Sequence, residues 1–113
     1  MEMRLLEYFG ETKKLSKILN SPRLLKKYYG KMANKIQLRL HEFEVAKNLS
    51  QIPSDPPPRC HLLTGNRKNT FAVDVSGNYR MIFEGYDSND DLSVKRSKIV
   101  TIQIIGIVDY HEK

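Results

Sequence analysis

The end of the chain constrains the fold most. Ile99-Val100-Thr101-Ile102-Gln103-Ile104-Ile105-Gly106-Ile107-Val108 is so dense in β-branched apolar residues that it reads as a strand buried on both faces, with the sheet built around it. The run stops at Asp109-Tyr110-His111, three side chains that can accept, donate or shuttle protons at the mouth of a rigid element, a good position for a site. A second histidine, in Cys60-His61-Leu62-Leu63-Thr64-Gly65, lies beside another short apolar run that can pair with the terminal strand. Two imidazoles and a carboxylate can then converge.

At 113 residues the chain is expected to be one domain, 1–113, with a core that needs neither metal nor disulfide. Its single cysteine, Cys60, cannot form an internal disulfide, and no signal peptide or run of about 18 apolar residues is found. A soluble cytoplasmic protein without a membrane partner is the expectation. The formal charge of +6 favours an anionic partner, nucleic acid foremost, although a solvated basic surface gives the same total. Residues 1–52 carry 11 Lys/Arg against 5 Asp/Glu, whereas residues 53–113 carry 8 against 8. The excess lies in the N-terminal half.

Met3-Arg4-Leu5-Leu6-Glu7-Tyr8-Phe9 suggests an edge strand, and residues 11–19 a short helix. Ser21 as N-cap and Pro22 at the first helical position open the next helix. From there Leu25, Tyr29, Met32, Ile36, Leu40, Phe43 and Ala46 recur at three- and four-residue steps, with Lys26, Lys27, Lys31, Lys35 and Arg39 mainly elsewhere. The spacing predicts one amphipathic helix over 22–47, which Gly30 weakens by about 1 kcal/mol without ending it. A last turn is expected near residues 49–53. Ser54-Asp55-Pro56-Pro57-Pro58 then reads as an extended linker to the sheet.

Residues 60–63 are the next strand candidate. Phe71-Ala72-Val73-Asp74-Val75 and Tyr79-Arg80-Met81-Ile82-Phe83 form a hairpin around Gly77. A two-residue loop would mix charge with core on both faces. A three-residue loop, Ser76-Gly77-Asn78, instead puts Val75 opposite Tyr79, Val73 opposite Met81 and Phe71 opposite Phe83, and leaves Ala72, Asp74, Arg80 and Ile82 on the other face. Tyr86-Asp87-Ser88-Asn89-Asp90-Asp91 reads as a polar hairpin tip. The fold class is therefore α+β, with two N-terminal helices on one face of a largely antiparallel sheet of four to five strands and the other face partly open.

In an extended strand end Asp109 and His111 project to one side, with Tyr110 opposite unless the chain bends. With His61 and Arg80 they supply a base, an acid and a cation, the parts that cleavage of RNA by its own 2′-hydroxyl requires. A polar chain end explains Asp109-Tyr110-His111 equally well, an exposed strand residue explains His61, and Arg80 can be a cross-strand partner of Asp74. His41 lies off the apolar face and reads as a solvated helix residue. Tyr28 and Tyr29 read as surface and packing, and Cys60 as a small core hydrophobe.

His61-Leu62-Leu63-Thr64-Gly65-Asn66-Arg67, Phe71-Ala72-Val73-Asp74-Val75, Asn78-Tyr79-Arg80-Met81-Ile82-Phe83 and Val108-Asp109-Tyr110-His111, in that order over residues 59–111, resemble the HigB branch of the RelE toxins, the plasmid-maintenance killer proteins. Residues 1–58 match only as a helical half of suitable size. The resemblance implies a RelE-like fold and a ribosome-dependent, metal-independent mRNA endonuclease (an mRNA interferase) that needs no cofactor. The implied partners are a small antitoxin of the helix-turn-helix type, mRNA on the ribosome, and ribosomal RNA. It implies catalytic roles for His61, Arg80, Asp109, Tyr110 and His111 and RNA-binding roles for Arg67 and Lys68. Asp109 is either the base or the group that orients a histidine; Tyr110 either packs on a base or donates a proton. Thr64 stands where related sequences usually have lysine, so a phosphate contact is either missing or supplied by Lys68. The ParE branch shares the scaffold and acts on DNA gyrase without catalysis, and His61 together with His111 favours the nuclease. A metal site of His61, Asp109 and His111 is a third reading.

Overall fold

The computed structural model describes residues 5–110, in the order β1 (Glu7–Gly10), α1 (Lys13–Leu19), α2 (Pro22–Tyr29), α3 (Ala33–Glu44), β2 (His61–Leu62), β3 (Phe71–Ser76), β4 (Tyr79–Tyr86), β5 (Leu92–Ser93) and β6 (Thr101–Asp109). The main path of the sheet is β1-β6-β4-β3-β2, with β5 paired to β4. Only the β1–β6 pair is parallel, so the sheet is largely antiparallel as expected, with six strands rather than four to five.

The terminal strand β6 is interior, between the edge strand β1 and β4, but the sheet centres on β4, which stands in the middle of the path and pairs with β6, β3 and β5. The burial of β6 is also one-sided. Ile102 and Ile104 are fully buried while Thr101, Gln103 and Ile105 are half-buried, because helices cover a single face. A register shift where Ile82 and Phe83 pair with Gly106 and Ile104 leaves Ile105 as an extra residue. The bulge reverses the alternation that follows. Nor does the strand of His61 pair with the terminal strand: β3 and β4 stand between them.

The covered face holds Phe71, Val73, Met81, Phe83, Ile102 and Ile104, packed with Leu25, Ile36, Leu40 and Phe43. Phe43 of α3 meets Phe83 edge-on at 5.4 Å between centroids, and Phe83 stacks on Phe71 at 5.8 Å. Cys60 is in this core, its thiol pushed up to about 11 by burial, hence inert near neutral pH. The bare face has a thin apolar layer of its own, in which Ala72, Ile82 and Leu63 are buried under Ile105, Val108 and Tyr110.

Three local expectations are corrected. The helix predicted over 22–47 breaks at Gly30, which has φ +54 and caps α2 before a 3-10 turn, Gly30–Met32, leads into α3. That backbone conformation is open to glycine at no steric cost, and it turns the chain from α2 into α3. The hairpin register of Phe71, Val73 and Asp74 with Phe83, Met81 and Arg80 is as expected, but a two-residue turn and a bulge at Val75 produce it, with Ser76 opposite Tyr79. Both routes add one residue to the same strand. Residues 54–58 are no extended linker: they fold into a turn with a cis Pro56–Pro57 bond, and the Arg59 N–H donates to Asp55 O at 3.1 Å. Pro58 O then accepts from the Asp74 N–H at 2.8 Å, which docks the turn on β3.

Gly10 decides how α1 meets the sheet. Its N–H donates to Ser16 Oγ at 2.7 Å, and a Cβ there would stand 2.6 Å from the Ser16 backbone nitrogen. Thr12 caps α1 by accepting from the Leu15 N–H at 3.1 Å, and Ser21 caps α2 by accepting from the Leu24 N–H at 3.2 Å.

Candidate active site on the bare face of the sheet

Cross-strand pairing sets the side chains of the bare face. His61 lies opposite Ala72, Asp74 opposite Arg80, and Arg80 opposite Val108. Alternation puts His61, Asp74 and Arg80 on one face. His61 and Arg80 are two strand spacings and two residues apart, about 12 Å between Cα atoms. Two long side chains can bridge that distance over one phosphodiester.

His61 Nδ1 is 2.7 Å from the carbonyl oxygen of Arg59. A carbonyl only accepts, so Nδ1 carries the hydrogen, and in the neutral ring Nε2 is left as the acceptor. Arg80 sits with Nε 3.7 Å from Asp74 Oδ1 and its Cζ 4.3 Å from the centroid of the Tyr110 ring. At 3.7 Å the contact with Asp74 is an ion pair without a hydrogen bond. Tyr110 is itself fixed by its N–H, which donates to Asn78 O at 2.7 Å.

The carboxylate of Asp74 is held by a residue that the sequence did not single out. Arg59 donates Nε to Oδ2 at 2.8 Å and Nη2 to Oδ1 at 2.9 Å. Hydrogen bonding to Asp74 raises the Arg59 guanidinium above its ordinary range. Arg39, reaching through from α3, donates Nε to the Asp74 carbonyl oxygen at 2.8 Å while its Nη1 meets Glu42 at 2.6 Å. Arg39 is 4% exposed, a buried strut and not part of a basic surface. Its signal was present, since Ile36, Arg39 and Phe43 share the three- and four-residue steps of the apolar stripe. Arg59 follows three prolines, and no periodicity marks it.

Beside this group lies a cleft of about 340 Å³ lined by Thr64, Asn66, Arg67, Asp109 and Tyr110. Arg67 is half-buried, its carbonyl oxygen accepting from the Thr70 hydroxyl, whereas Lys68 is exposed and is not among the cleft's lining residues. Asp109 pairs with Tyr79 at the end of β6, so alternation puts Tyr110 on the face of Arg80 and turns Asp109 from it, and Asp109 meets the site as a lining residue of the cleft. His111 lies outside the described residues, and with it both the expected pairing of His61 with His111 and the three-ligand metal reading. His41 is exposed on α3 with Nδ1 3.8 Å from Glu44 Oε1, as a solvated helix residue should be. Tyr28 is at the surface between Lys14 and Lys27, and Tyr29 packs on the core.

With this small α+β fold, helices on one face and a cationic cluster on the other, the chain matches the family described as the RelE-like toxin of type II toxin-antitoxin system HigB over residues 8–95. That span is most of the sequence. The chain belongs to the HigB-like toxin family, and membership brings a cognate antitoxin as partner. The match takes in the helical half, His61, Arg67, Lys68 and Arg80, and stops before Asp109-Tyr110-His111. Searches of curated proteins and of solved structures gave no match. Among the described residues no helix is long and apolar enough to cross a membrane.

Proposed function

We propose that this toxin is a ribosome-dependent mRNA endonuclease that uses side chains alone. The 2′-oxygen attacks the adjacent phosphorus as its proton passes to a base. The bond from phosphorus to the 5′-oxygen breaks, and that oxygen takes a proton from an acid, leaving a 2′,3′-cyclic phosphate and a 5′-hydroxyl. His61 and His111 exchange these protons, with Asp109 as base or as orienter of a histidine. Arg80 grips the phosphate and stabilises its developing charge. Tyr110 holds the Arg80 guanidinium and offers a face for a base. Arg67 steadies the RNA from the cleft, with Lys68 a looser contact at its rim, and ribosomal RNA meets the basic helices.

The observation that carries this reading is the state of Arg80, which stacks under Tyr110 and lies on the face of His61 with its guanidinium making no hydrogen bond among the described residues. Induced expression without the antitoxin, followed by mapping of mRNA ends, tests it. Cuts within translated messages, with 5′-hydroxyl downstream ends, are expected. Intact messages with accumulating double-strand DNA breaks would overturn it in favour of gyrase inhibition.

A further inference from the structure

We infer that Arg59 is a positioning residue for catalysis: by occupying the Asp74 carboxylate it leaves Arg80 able to take the RNA phosphate, and its backbone carbonyl sets the tautomer of His61. The inference rests on the nuclease reading and deepens it. One carboxylate lies between two guanidinium groups, and the contacts are unequal. Arg59 makes two hydrogen bonds to it, at 2.8 and 2.9 Å, and Arg80 stands off at 3.7 Å. The planar fork of arginine engages both oxygens at once, taking two of the carboxylate's roughly four lone-pair sites and compensating its charge before the second cation reaches it. Two positive groups on one negative group leave the cluster with an excess positive charge.

The backbone around this pair is fixed from several sides. Asp74 donates its N–H to Pro58 O and accepts at its carbonyl from Arg39 Nε, both at 2.8 Å. Arg59 has φ +47, a conformation uncommon outside glycine. In it, one residue directs its side chain to Asp74 and its carbonyl oxygen to His61 Nδ1, at 2.7 Å. The proline turn thereby delivers a single residue that touches both halves of the site, the proton-transfer group through the main chain and the phosphate-binding group through Asp74.

Without Arg59, the nearest cation to the Asp74 carboxylate is Arg80, which needs to move less than 1 Å to form a hydrogen bond. Arg80 would then be engaged in the free protein, and the RNA phosphate would have to displace a carboxylate. The loss should therefore depend on the charge of Asp74, which a merely structural role for Arg59 would not require.

The test is cleavage of a short mRNA on programmed ribosomes by Arg59→Ala, Arg59→Ala/Asp74→Asn and Arg80→Ala, with Tm alongside. Arg59→Ala should be slower by about 10- to 100-fold, the range for one hydrogen bond to a charged group, with KM raised. Adding Asp74→Asn should return most of that loss. Should Arg59→Ala fold poorly, Arg59→Gln, which keeps the stem and a neutral donor, carries the same expectation. A parental rate for Arg59→Ala beside an inactive Arg80→Ala overturns this inference and leaves the nuclease site standing. So does a double variant as slow as the single one. A parental rate for Arg80→Ala overturns the site itself, and this inference with it.

Discussion

Two arginines approach Asp74 from opposite sides of the sheet, and their surroundings differ. Arg39 comes from the packed side, 4% exposed, with Nε on the Asp74 carbonyl oxygen and Nη1 on Glu42 at 2.6 Å. Arg80 lies on the bare side, with 22% of its side chain exposed, a ring at 4.3 Å and the nearest carboxylate already taken by Arg59. A buried cation whose hydrogen bonds are all made within the protein holds the protein together. One that is oriented by packing and keeps its donors can hold something else. The same contrast separates the two faces: helices fill one, while the other has only enough apolar area to orient its polar groups.

The largest effect expected on the bare side is at His61. Glutamine there removes proton transfer and should slow cleavage by about 10² to 10⁴, with little change in Tm because His61 is half-buried on a two-residue strand. A folded variant cleaving at the parental rate would remove His61 from the mechanism.

The packed side answers to pH instead. Cys60 is fully buried and its thiol is raised to about 11, above the ordinary value of 9.0. The native state therefore holds this proton more tightly than the unfolded chain. The stabilisation is complete below pH 9 and is lost as pH rises through 11, about 3 kcal/mol at most. Urea midpoints taken at pH 8 and pH 11 should show the decline, and Cys60→Ala should lessen it. An equal decline in that variant would assign it to other groups.

The smallest effect expected is at Tyr110. Leucine there keeps apolar cover over Ile82 and Ala72 but removes the ring from Arg80. A cation–π contact of about 0.5–1 kcal/mol gives a few-fold loss of cleavage. A loss as large as that at His61 would instead make Tyr110 a proton donor.

Much of the architecture was legible because apolar spacing encodes burial. The stripe through Leu25, Ile36, Leu40 and Phe43, the Val73–Met81 register and the interior place of β6 all follow from which side chains must leave water. What the sequence concealed is where charge compensates for geometry. Gly30 left the apolar rhythm intact while its backbone turned. Arg39 sat in the stripe yet was counted with the surface lysines, because a charge is expected outside unless its partner is known. For the candidate site, His61 and Arg80 were singled out by motif resemblance and cross-strand parity. Arg59 was not, because its role depends on a turn that brings residues 59 and 74 together, and no local pattern records that contact.

The comparison of the two arginines is tested most directly by measuring cleavage on programmed ribosomes and Tm for Arg80→Ala and Arg39→Ala together. Arg80→Ala should lose about 10² to 10³ in rate, as on removing an electrostatic stabiliser of the transition state, with Tm nearly parental. Arg39→Ala should lose about 1–3 kcal/mol of stability, by leaving the Asp74 carbonyl and Glu42 without their donor. At temperatures where it is folded it should cleave within a few-fold of the parent. Parental cleavage by folded Arg80→Ala, or a loss of cleavage confined to Arg39→Ala, would contradict the assignment of the active site to the bare face.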